Sequence, residues 1–97
     1  MTGWRKRKIQ DMTNINETLE QRRQTHGDFN THAEISQRLK DTMYQYSDFK
    51  YLALDQKEAL DMIVHKIARI LNGNPNVHDH WHDIAGYATL IANRLEK

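Results

Sequence analysis

Four carboxylates flank a break rich in glycine, proline and asparagine: Glu58 and Asp61 before it, Asp79 and Asp83 after it. Within each pair the spacing is three or four residues, which on a helix sets both side chains on one face, a turn apart. Lys66 and Arg69 follow the first pair, with Arg69 on the same side and Lys66 at the edge of the apolar stripe. Hard oxygen ligands of this kind suit magnesium, which binds through a few carboxylates plus phosphate oxygens. Such a metal would polarise a phosphoryl group and activate a water, while Lys66 and Arg69 offset charge on the departing phosphate. The competing reading is a solvated charged face in which Glu58 caps one helix and Asp79 opens the next.

Six histidines offer less. His78, Asp79 and His82 have the spacing of a zinc-protease helix, with aspartate in place of the usual glutamate and no third ligand at a matching spacing. His82 and Asp83 form a His-Asp pair of the kind found in metal-dependent phosphohydrolases, but no aspartate follows Asp83. His26, His32, His78 and His80 are expected to face solvent or cap helices. No serine or threonine sits in a setting that would activate it as a nucleophile.

The elements that must carry these residues are helices. Asn14 and Glu17 have capping-box spacing, so a first helix is expected from Asn14 to His26, closed by Gly27 in the left-handed conformation. Thr31 and Glu34 repeat that spacing ahead of Ile35, Leu39, Met43 and Tyr46, which recur as one apolar stripe. Residues 47–54 lack periodicity, and Phe49, Tyr51 and Leu52 are expected to cover the core from a loop. Asp55 and Glu58 suggest a third capping box before Leu60, Ile63, Val64, Ile67, Ile70 and Leu71, the best amphipathic stripe in the chain. The run Asn72 to Asn76 then ends that helix and turns the chain into a hairpin. A last helix should begin between Asn76 and Asp79 and reach Glu96, with Trp81, Ile84, Ala85, Ala88, Ile91, Ala92 and Leu95 on one face. Gly86 lies inside it, where a glycine costs about 1 kcal/mol against alanine, which points to close approach by a neighbouring helix or ligand.

The fold class expected is therefore all-α, a four-helix bundle-like domain with a C-terminal helical hairpin. Ninety-seven residues make one domain with a modest core, so a homo-oligomer is expected. The net charge of +1 divides into an arm of residues 1–12, where Arg5, Lys6, Arg7 and Lys8 stand against Asp11, and a slightly acidic domain of residues 13–97. Four cations on an arm read as a solubilising tail, so nucleic acid is not the expected partner. The chain has no cysteine and no apolar run approaching a membrane span or a secretory signal, which fits a cytoplasmic protein.

Three segments, Gln21 to Phe29, Met62 to Arg69 and Asp79 to Tyr87, carry a resemblance in their order as well as their residues. Over about residues 15 to 95 the chain resembles a small phage and prophage domain of unknown function, related to the MazG-like all-α nucleoside triphosphate pyrophosphohydrolases. That resemblance implies an oligomeric helical bundle in a bacterial host cell. It also implies a magnesium-dependent hydrolase that splits a nucleoside triphosphate into monophosphate and pyrophosphate. Glu58 and Asp61 match the first acidic pair of those enzymes, and Asp83 the last aspartate of the second. His80 stands where they have glutamate, and Asp79, one position away, is rotated by about 100° on the helix. Lys66, Arg69, Arg22 and Gly27 match the phage domain's own pattern, which makes the three cations candidates for phosphate contacts. The alternative is a non-catalytic phage accessory protein that keeps the bundle and binds a nucleotide or a host protein.

Overall fold

The computed structural model describes residues 2–96, with side chains from residue 14 onward. Helix α1 (Thr2–His26) is followed by α2 (Phe29–Gln45), a 3-10 helix (Ser47–Tyr51), α3 (Leu54–Asn72) and α4 (His78–Leu95). No strand occurs among the described residues, so the chain is all-α with a helical hairpin at its C-terminal end. α3 is the central element: it packs along α4 on one side and α2 on the other, and it meets α1 as well.

Three helix starts differ from those expected. α1 is continuous from Thr2, so Asn14 lies inside it and its carbonyl accepts the Thr18 hydroxyl at 2.9 Å. The reason is that Trp4 to Thr13 contain neither glycine nor proline, and several of these residues are good helix formers. The side chains of the basic cluster Arg5 to Lys8 lie outside the described set. α2 is capped by Asp28, whose carboxylate accepts the Thr31 N–H at 3.1 Å, so the helix restarts at once after Gly27. Glu34 pairs instead with Arg38, at 2.8 Å. α3 starts at Leu54, where the Ala53 N–H donates to the Gln56 side chain at 2.9 Å. Asp55 then lies inside the first turn and Glu58 has no capping role.

Gly27 does close α1 as expected, with φ of 78° and its N–H on the Arg23 carbonyl at 2.8 Å. Its second use is contact. A Cβ there would lie 2.6 Å from the Asn72 side-chain nitrogen and would also clash with the Asn72 carbonyl. Gly73 answers from the other chain segment: a Cβ on it would lie 2.6 Å from the His26 carbonyl carbon. The elbow between α1 and α2 thus crosses the end of α3 backbone to backbone. Asn72 pins the crossing, its amide donating to the carbonyls of His26 at 3.2 Å and Asp28 at 2.8 Å. The Asn74 N–H adds a bond to the Thr25 carbonyl at 3.1 Å.

The interior is small and largely polar. Ala59, Val64 and Ala68 are the buried apolar residues, and beside them lie His32, Ser36, Lys66 and His80. The stripe expected on α3 is only partly covered: Val64 is buried, Ile63, Ile67 and Ile70 are half-buried, and Leu60 and Leu71 are exposed. On α4, Ile84 and Ile91 are half-buried while Trp81, Leu90 and Leu95 are exposed. From the segment after α2, Phe49 and Leu52 are half-buried and Tyr51 is exposed. A Cβ on Gly86 would meet no atom within 4 Å among the described residues, so none of them uses the approach it allows.

Replacing Gly27 by alanine combines a left-handed backbone with a clash against Asn72, which should cost about 2–4 kcal/mol. Urea denaturation should register this as a clear fall in the midpoint, and an unchanged midpoint would contradict the tight crossing.

Candidate functional site

Two ion pairs set the register of the hairpin. Lys66 Nζ lies 2.9 Å from Asp83 Oδ2, and Arg94 pairs with Asp55, so residue n of α3 stands level with residue 149−n of α4. This register distributes the four candidate carboxylates along the helices. Asp61 and Asp83 are offset by five residues, about 7.5 Å along the axis, and Glu58 and Asp79 by twelve, about 18 Å. Among the described residues no three His, Asp or Glu side chains gather into a group that could hold a metal ion. In this arrangement the four acids are not gathered around one point.

Each acid has its own surroundings. The Asp61 carboxylate accepts the Tyr44 hydroxyl at 3.0 Å. Burial first, then the hydrogen bond and charge of Asp61 and last the charge of the exposed Glu58, raise the Tyr44 phenol above its ordinary pKa. Asp79 lies 3.3 Å from His78, in a pair that is 84% exposed on both sides. Asp83 is held below the usual carboxylate range, first by its hydrogen bond to Lys66 and then by the charges of Lys66, His82 and Arg69, against some desolvation. Lys66, a buried cation, is thus engaged by Asp83. His78 and His82 stack one turn apart with ring centroids at 5.4 Å, and no third ligand joins them among the described residues.

The other two candidate cations, Arg22 from α1 and Arg69 from α3, line a single cavity of about 460 Å³ beneath the elbow. Its walls include Leu19, His26, Asp28, Phe29 and His32. A smaller hollow along α1 shares Leu19 and Arg22 with it. The sequence reading missed the imidazoles of this region. His78 is exposed as expected, but His32 and His80 are buried and His26 is half-buried. The His26 and His80 rings lie 4.9 Å apart, and those of His32 and His65 5.6 Å apart. A signal was present: His32 stands three residues before Ile35, and His80 four before Ile84, so both continue apolar stripes.

Burial is the first cause that lowers the pKa of His26, His32 and His65, and Arg69 adds a repulsive charge to all three. For His65 the nearer cation is Lys40, whose ammonium donates to Nε2 at 2.9 Å, a bond that requires the neutral ring. His32 Nδ1, Ser36 Oγ and His80 Nε2 are sealed from solvent with no hydrogen-bond partner among the described residues. Such atoms cost stability, so this polar interior is not explained by folding alone.

His26, His32 and His65 bind protons more readily in the unfolded chain than in the folded one. Their contribution is therefore complete above the ordinary histidine pKa of 6.5 and is lost as pH falls through the lowered folded values. Denaturant midpoints should fall as pH drops from about 7.5 to about 5.5, and His32→Gln should flatten that fall. A midpoint independent of pH over this range would contradict the neutral imidazole cluster.

No curated protein matches the chain, and no solved structure does. A family model matches residues 11–95, spanning the C-terminal half of α1, the elbow, the cavity and the whole α3–α4 hairpin. The chain belongs to the family described as Domain of unknown function (DUF6378).

Proposed function

We propose that the domain binds the phosphate of a nucleotide without turning it over, as a non-catalytic accessory protein of the kind found in phages. The observation that carries this reading is that Arg22 and Arg69, 47 residues apart in sequence, reach one cavity. Arginine suits the role because its planar fork matches phosphate oxygens and its charge persists at any working pH. Lys66 contributes by holding Asp83, which offsets a carboxylate charge that Arg69 also feels.

The second reading is the magnesium-dependent nucleoside triphosphate pyrophosphohydrolase. What favours it is that Glu58 is not a helix cap and shares the surroundings of Tyr44 with Asp61. What weighs against it is the split between these acids and Asp83.

We also propose that the working unit is a homo-oligomer. Leu60, Leu71, Trp81, Leu90 and Leu95 are exposed on the hairpin helices, whereas the interior buries polar groups, and Gly86 leaves room that none of the described residues fills. Trp81 and Leu95 lie on one side of α4 and Leu90 with Gly86 on the other, so a second copy laid against either side would cover part of this surface.

One set of measurements separates the readings. Calorimetric titration with nucleotides should give binding that weakens at least tenfold in Arg69→Ala and in Arg22→Ala, the loss of a charge-assisted contact worth about 1.5–3 kcal/mol. Pyrophosphate release with magnesium should be nil. Release that disappears in Glu58→Gln would instead establish the enzyme, and a monomer by light scattering would remove the oligomer.

A further inference from the structure

We infer that the cavity beneath the α1–α2 elbow takes a phosphomonoester dianion, the phosphate of a nucleoside monophosphate, and takes it up together with a proton. The inference rests on the reading that Arg22 and Arg69 contact phosphate, and it narrows which phosphate.

Charge makes the selection. Of the three arginines on the walls, Arg23 is tied to Glu20 by two hydrogen bonds, at 2.8 and 3.2 Å. Asp28 opposes the remaining two while it caps α2. With neutral imidazoles the wall therefore carries about one net positive charge. A triphosphate would leave several negative charges uncompensated. A phosphomonoester, carrying up to two with its second pKa near 6, would leave about one, which one captured proton removes.

His26 and His32, both on the cavity wall, are the groups to receive that proton. What faces them is almost all cationic or neutral: Arg22 and Arg23 from α1, Lys40 from α2, His65, Lys66 and Arg69 from α3, and His80 from α4. The carboxylates nearby are already engaged, Asp28 in the cap and Asp83 with Lys66. The rings consequently stay neutral in the empty cavity. An anion placed between Arg22 and Arg69 would cancel the repulsion that opposes their protonation.

Size and shape fit the rest of the ligand. A cavity of about 460 Å³ falls within the range of small-molecule sites. Phe29 is 76% exposed, stands on the wall and stacks on His32 with ring centroids 6.2 Å apart. With Leu19 it supplies an apolar flank for a base, while the guanidinium groups hold the phosphate.

The test is calorimetry of the full chain with nucleoside monophosphates, inorganic phosphate, and ATP with and without magnesium, in buffers of different ionisation enthalpy. The expected result is that a monophosphate binds most tightly, with net proton uptake, and that its affinity rises roughly threefold to tenfold from about pH 8 to about pH 6.5. His26→Gln and His32→Gln should each reduce the uptake while binding persists, and the double variant should abolish most of it, each with the circular dichroism of the parent chain. ATP binding more tightly than any monophosphate, without proton uptake, would overturn the inference and leave the nucleotide reading in place. Inorganic phosphate binding as tightly as a monophosphate would overturn the nucleoside assignment. Binding of no nucleotide would overturn both.

Discussion

The Asn72 amide is the contact on which the candidate site depends. It reaches from the last turn of α3 to two carbonyls on either side of Gly27, and so fixes the angle at which α1 and α2 leave their elbow. Without it, the first two helices would be joined to the hairpin chiefly through the face of α2. Gly27 and Gly73 are its conditions, because a Cβ at either position would strike the other segment's backbone. The cavity exists because this crossing holds α1 over α3 at Arg69 while Asp28 starts α2 at once. A single close approach therefore links the turn chemistry of a glycine to the meeting of two distant arginines.

The distribution of polarity points in the same direction. A small domain that buries two histidines, a serine and a lysine, and leaves leucines and a tryptophan exposed, is arranged poorly for standing alone. Both halves make sense if the polar interior serves a ligand and the apolar exterior serves a second copy. The cost of the unpartnered buried atoms then falls on the apo state, where burial and the neighbouring cations also keep the imidazoles neutral. Lys66 and Asp83 form a different kind of pair, mutually satisfied and level on the hairpin, and they fix its register more than they offer chemistry.

Much of the fold was legible in the sequence because it rests on local rules. The apolar recurrence in α3, the Asn-Gly-Asn-Pro break and the left-handed Gly27 each depend on neighbouring residues, and each element falls where those signals place it. Helix starts were less legible: Asp28, Thr31 and Glu34 compete for the cap of α2, and the choice follows from how tightly Gly27 turns the chain. Arg69 was marked by its helix spacing and Arg22 by resemblance, while their meeting in one cavity is a tertiary fact created by the Asn72 crossing. The histidines were misplaced because polar type was weighed above stripe position, although His32 and His80 are in phase with Ile35 and Ile84. Likewise, the acids were grouped by helical face alone, and face says nothing about level along an antiparallel pair.

The most direct test of this account is nucleotide titration of Asn72→Ala alongside its far-ultraviolet circular dichroism. The account predicts that helical content is retained while affinity falls at least tenfold, because the variant frees the elbow and separates Arg22 from Arg69. Undiminished affinity in a fully helical Asn72→Ala chain would contradict it.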